Sequence, residues 1–189
     1  MFGRVILNDP APPAAGPLGA EIAEELQGRM LRALGAHTGP DGRIDRGRLG
    51  ASPEFREAPE CARLMPHVDL ARLEAPEARL AFWINVYNAL AWHGITVLGV
   101  RRTVWEAGNF FGRVSYRVGG ITLNLDEIEH GILRGNRPRR LPPWRPFGRR
   151  DPRLRLVLDP PDPRVHFALN CGAASCPPVG VYRAAIIDQ

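Results

Sequence analysis

The sequence contains no lysine; all 25 basic residues are arginine. That excludes Schiff-base chemistry and the phosphate-cradling lysine of a P-loop. Cysteine is also scarce, three in 189 residues. So few rule out a disulfide framework, and the odd count leaves at least one free thiol, so a reducing, cytoplasmic setting is expected. The first 17 residues lack the apolar run of a secretory signal. Gly-x-Gly-x-x-Gly, Gly-x-Ser-x-Gly, His-Glu-x-x-His and Cys-x-x-Cys are all missing. Dinucleotide, serine-hydrolase, zincin and thioredoxin chemistries therefore have no local signature here.

One long uncharged run does occur, the 21 residues 80–100. Its length would suffice for a bilayer. Asn85, Asn88 and His93 lie in its middle, however, where polar groups are costly in lipid. The run reads as a buried core helix, and no membrane span is expected. At 100° per residue, Ala81, Asn85, Asn88, Trp92 and Thr96 share one face, an amide stripe on a helix otherwise apolar nearly all round. Buried amides need partners. Asn85 and Asn88 either tie down neighbouring backbone or line a site.

The rest of the chain reads as one domain, with 44% apolar residues and no internal repeat. Residues 1–17 are expected as a flexible arm and 18–189 as a single globular unit. Apolar residues at Ile22, Leu26, Met30 and Leu34 predict a helix over 19–34. Alternation on either side of Gly119 and Gly120 predicts a tight hairpin over 114–124. Asn124 and Glu127 then have the spacing of a capping box, with Gly135 just past the helix they would open. Residues 165–171 have the length and apolarity of a short strand. The fold class expected is α+β, mainly helical, with a buried central helix and a small antiparallel sheet.

Residues 134–155 hold nine arginines and one acid, Asp151, so the chain's formal charge of +5 resides there and the remainder is net negative. Five prolines occupy the same stretch, which reads as a long, solvated loop. Such a loop suits an acidic partner, through Arg139, Arg140, Arg149 and Arg150. Nucleic acid is not expected, because interleaved stacking aromatics are few.

Reactive side chains concentrate late in the chain: His130, His166, Cys171 and Cys176. Two prolines follow Cys176, so its thiol could sit where backbone N–H groups stabilise a thiolate, with His130 or His166 as base. The catalytic candidates are Cys176, His166, His130 and Cys171; the substrate-binding candidates are Asn85, Asn88, His93 and Asn170. The alternative for both cysteines is a small buried hydrophobe. The five-residue spacing of His166, Cys171 and Cys176 is wide for zinc, so no metal or other cofactor is assigned. A Cys171–Cys176 disulfide stays open, as does orientation of His130 by Glu127 or Asp126.

Three stretches together carry a resemblance: Leu-Ala-Phe-Trp-Ile-Asn-Val-Tyr-Asn-Ala-Leu at 80–90, Leu-Asp-Glu-Ile-Glu-His-Gly-Ile-Leu-Arg at 125–134, and Asp-Pro-Arg-Val-His-Phe-Ala-Leu-Asn-Cys-Gly-Ala-Ala-Ser-Cys-Pro-Pro at 162–178. In this order they resemble the family catalogued as domain of unknown function 547, over residues 60–189. The family resemblance implies no assigned activity. Fusions of some plant relatives to glutaredoxin or coiled-coil segments imply thiol or scaffolding roles. Relative to the family, the chain is expected to be truncated at its C-terminus, within the helix that Tyr182 opens. Two functions are carried forward: a thiol-dependent hydrolase or acyl transferase acting on a small molecule or peptide through a Cys-His pair, and a non-catalytic binding or scaffold module.

Overall fold

In a computed structural model, residues 3–14, 16–138, 144–173 and 176–186 are described. The architecture is α+β, with helices packed around one long buried helix and a three-stranded sheet on one side. Helices α1 (Glu21–Ala36), α2 (Arg46–Leu49) and α3 (Pro53–Ala62) come first. Ser52 caps α3 by accepting the Phe55 N–H at 3.1 Å, with Pro53 at the first helical position, where a missing N–H costs nothing.

Helix α4 (Pro76–Val97) is the centre of the molecule, and every residue from 80 to 95 is buried. Trp83, Tyr87, Phe82, Ile84 and Leu90 are among the largest fully buried side chains, each contributing roughly 1.5–3 kcal/mol by its burial. Gly94 is where the sheet comes close, since a Cβ there would meet Val114 Cγ1 at 2.6 Å. Among the described residues no helix is long and apolar enough to cross a membrane.

After α5 (Phe110–Arg113), strands β2 (Val114–Val118) and β3 (Ile121–Asn124) form the expected antiparallel hairpin, with Gly119 and Gly120 both at positive φ. The sheet is mixed, because β1 (Val5–Ile6) adds to β2 in parallel. Residues 1–17, expected as a flexible arm, make several contacts with the rest of the fold. Asn8, fully buried, donates to Ala62 O and Arg117 O and accepts the Arg117 N–H at 2.9 Å. Arg4 reaches Glu127, and His67 Nε2 lies 2.7 Å from Pro12 O. A proline-rich composition concealed these ties, which run to residues distant in sequence.

Asn124 and Glu127 make the capping box: Glu127 N–H donates to Asn124 Oδ1 at 2.8 Å and Asn124 N–H to Glu127 Oε2 at 3.0 Å. The helix they open is π-helical over Glu127–Leu133, its wide turns marked by the Arg134 N–H to Glu129 O bond, an i to i−5 link of 2.8 Å. Gly131 lies against the Phe147 ring, which a Cβ would reach at 2.5 Å.

Phe147 also changes the reading of the arginine-rich stretch. It is fully buried, Asn136 clasps its backbone N–H and C=O at 2.9 Å each, and the Arg153 guanidinium lies 4.5 Å over its ring. Arg153 then pairs with Asp151 and Glu127 at 2.7 and 2.8 Å. The described part of that stretch is thus anchored at Asn136, Phe147 and Arg153, while Arg149 and Arg150 are exposed; Arg139 and Arg140 lie outside the described residues.

The expected strand over 165–171 is a short helix, α6 (Val165–Ala168), followed by an extended segment. The run has an apolar composition either element accepts. Asp162 settles it locally: its carboxylate accepts the Arg164 N–H at 2.8 Å and starts a turn. The segment opened by Tyr182 makes a 3₁₀ turn at Ala184–Ile186.

Candidate functional site

The amide stripe of α4 serves the backbone of the C-terminal segment. Asn88 Nδ2 donates to Ala168 O at 2.9 Å and its Oδ1 accepts the Asn170 N–H at 2.8 Å. Asn85 does the same for Tyr182, donating to its C=O at 2.8 Å and accepting its N–H at 3.0 Å. Each amide offers one donor and one acceptor, as a neighbouring strand would. Both side chains are fully buried, so loss of either would leave two backbone groups dry, at roughly 1–3 kcal/mol each.

Asn170 carries the ordering onward. Its Oδ1 accepts Trp92 Nε1–H at 3.2 Å and the Gly172 N–H at 2.8 Å, while Nδ2 donates to Pro177 O at 2.7 Å. The side chain thus spans the neck of the loop containing both late cysteines. Gly172, at φ +78°, turns the chain over Ile95, and a Cβ there would meet Ile95 Cδ1 at 2.5 Å. Arg46 holds the outside of the turn by donating to Gly172 O at 2.6 Å while stacking on Trp92. Its Nη1 is buried without a hydrogen-bond partner, and burial lowers the guanidinium's pKa.

The loop brings the thiols of Cys171 and Cys176 together, Sγ to Sγ 3.2 Å, both free and both partly exposed. Cys176 Sγ also accepts the Cys171 backbone N–H at 3.3 Å. Burial and the hydrogen bond with Cys176 push the Cys171 thiol above its ordinary range. Cys61 differs: it is 2% exposed, and burial pushes it up to about 11.

The two histidines line a separate part of the neighbourhood, a cleft of about 500 Å³ bordered by His130, Arg134, Arg137, Asp162 and His166. The π-helical segment supplies His130, and Arg134 follows directly. His130 Nε2 lies 4.0 Å from Asp126 and 3.9 Å from Glu129. Glu127, the other partner considered for it, is committed to the cap, to Arg4 and to Arg153. Burial opposes its charge, yet these partners together hold its carboxyl below the usual range. Arg134 donates to Glu129 at 2.9 Å and its Nη1 lies 3.1 and 3.0 Å from the two His166 ring nitrogens.

Tyr87 ties α4 to the π-helical segment that carries His130. Its hydroxyl donates to Glu129 at 2.9 Å, and its pKa is raised by burial first, then by Glu129 and Cys171. The two sulfurs contact each other and Cys176 Sγ receives the Cys171 amide, whereas His166 contacts Arg134. His93 is placed in the core, 3% exposed, with Nδ1 2.7 Å from Tyr116 Oη and Phe55 edge-on. Among the described residues no three metal-ligating side chains cluster.

Sequence reasoning missed Tyr87, Glu129, Arg134, Arg46 and Trp92. Tyr87 stands between Asn85 and Asn88, and Glu129 beside His130, so proximity to chosen residues was a usable signal. Nothing in the local pattern announces a π-helical segment, which frequently accompanies a functional site.

Fold and site together define an α+β domain in which a dithiol loop is clamped to a buried helix beside a histidine- and arginine-lined cleft. The chain belongs to the family described as protein of unknown function, DUF547, whose model matches residues 70–189. No curated protein and no solved structure matches it.

Proposed function

We propose that the chain is a thiol-dependent enzyme, a hydrolase or acyl transferase, with Cys176 as nucleophile and His130 or His166 as the base. The observation that carries this reading is the environment of Cys176 Sγ, which accepts the Cys171 N–H and faces the Cys171 thiol. A backbone N–H donated to a sulfur is the kind of contact that stabilises negative charge there during attack. The cleft supports the second half of the reading. Arg137 and Arg134 suit a small molecule or peptide carrying an anionic group, and the two imidazoles that line the cleft can move protons. In attack, the Cys176 sulfur would form a thioester or an equivalent acyl adduct, and an imidazole would protonate the leaving group. Asn85, Asn88 and Asn170 act as positioning residues that hold the loop, and a reducing, cytoplasmic compartment would keep both thiols available.

Iodoacetamide labelling of the folded protein from pH 5 to 9, read by peptide mass spectrometry, tests the nucleophile. Cys176 should react near pH 6 while Cys61 stays slow, and Cys176→Ser should remove labelling by acyl-transfer probes with folding retained. Protection of all three cysteines until unfolding would defeat the proposal. A second reading, a binding module for an acidic partner, draws on exposed Arg149 and Arg150 and on Trp144, 45% exposed. Under that reading, neutralising both arginines weakens a salt-sensitive interaction and Cys176→Ser does not.

A further inference from the structure

Cys171 and Cys176 meet in a geometry that acyl transfer through a single sulfur does not require. We propose that they are a reversible dithiol–disulfide pair, able to exchange with small-molecule disulfides. The inference goes beyond the acyl-transfer reading and shares only Cys176 with it.

Three features carry it. The sulfurs are 3.2 Å apart, so closing a bond of about 2.05 Å requires a movement of only about 1 Å. The described residues on either side of 174–175 are already drawn together. Asn170 Nδ2 clasps Pro177 O across the neck, the Cys176 N–H donates to Ala173 O at 3.0 Å, and Gly172 occupies the left-handed region at the turn. The chain entropy of bringing the sulfurs together has thus been spent in the reduced fold. Both thiols are also partly exposed, so a small disulfide has access, whereas Cys61 is enclosed.

The surroundings give the order of steps. Cys176, which receives the Cys171 N–H, attacks first; Cys171, whose thiol is partly buried and pushed upward by that burial, resolves. In the first step the Cys176 sulfur bonds to one sulfur of a disulfide R–S–S–R, breaking its S–S bond and expelling one thiolate. In the second, Cys171 loses its proton and attacks the Cys176 sulfur, expelling the other thiolate. The two thiol protons end on the two departing R–SH molecules, the pair is oxidised, and the small disulfide is reduced. Oxidation removes the Cys176 nucleophile, and any dithiol reductant restores it.

The full chain, reduced, desalted and mixed with oxidised glutathione, is quenched in acid, capped with a maleimide and weighed intact. The wild type should lose two hydrogens and two capping sites, with the crosslink mapped to the peptide joining Cys171 to Cys176 and reversed by dithiothreitol. Cys171→Ser should instead accumulate a stable Cys176–glutathione mixed disulfide. A wild type that retains glutathione as that variant does, or two thiols that stay unreactive, would overturn the proposal. The wild-type result needs no variant to fold. It is also independent of acyl-transfer probes, so failure of the proposed enzyme activity and failure of this exchange are separable.

Discussion

At the scale of single residues, the amide and imidazole of a buried side chain impose different costs, and α4 holds both. His93 is enclosed by apolar neighbours beyond its contact with Tyr116, and burial lowers its pKa from 6.5 to about 4. The folded protein therefore holds a neutral imidazole across a window in which the unfolded chain binds a proton. Stability contributed by that difference is complete above the unfolded value and is lost as pH falls from about 6.5 towards 4. Between pH 7 and 5 the loss amounts to about 2 kcal/mol. Urea unfolding at both pH values should show a steeper decline for the wild type than for His93→Gln, whatever the absolute stability of the variant. Parallel declines would show that His93 does not titrate on unfolding. Periodicity put His93 on a central helix, but spacing along one helix does not reveal whether Tyr116, on a strand, supplies its partner.

Elements were legible where local chemistry specifies them and illegible where distant packing does. The hairpin and the capping box were both readable from spacing, because a turn and a helix start are settled within a few residues. Asn124 also donates to Gly112 O at 3.1 Å, which ties the cap to the end of α5. Asn124→Ala should lower stability by about 1–2 kcal/mol in urea or thermal unfolding, with Asn124→Asp falling between alanine and wild type because it keeps the accepting oxygen but loses the donor to Gly112 O. If alanine and aspartate behave alike, the cap is not what starts this helix. The π-helical geometry beyond the cap had no comparable signal. It accompanies Gly131 against Phe147, a residue sixteen positions on in a stretch that composition alone presents as a basic loop. The misread strand over 165–171 has the same origin in reverse: an apolar run says that a segment is buried, and Asp162 with the α4 amides decides its shape.

For the molecule as a whole, the consequence is that, among the described residues, the segment carrying the thiols pairs with no strand. Its backbone is completed by side chains of the central helix, and the two clamps act at different places: Asn88 on 168–170 and Asn85 on Tyr182. Removing one should therefore loosen one stretch while the packed apolar core of α4 remains. Asn88→Ala should raise amide hydrogen exchange over 168–177, and the Cys171–Cys176 separation with it, slowing disulfide closure by glutathione. Asn85→Ala should raise exchange around 180–183 and leave closure near the wild-type rate. Each variant exposes or strands two backbone groups, so a loss of about 2–6 kcal/mol in global stability accompanies either. The comparison between them carries the test, since both pay the same kind of penalty. If the two variants slow closure equally, the sulfurs are held by the fold at large and the Asn170 clasp across the loop is not dependent on Asn88. If only Asn88→Ala slows it, the central helix sets the geometry of the reactive pair through a single amide.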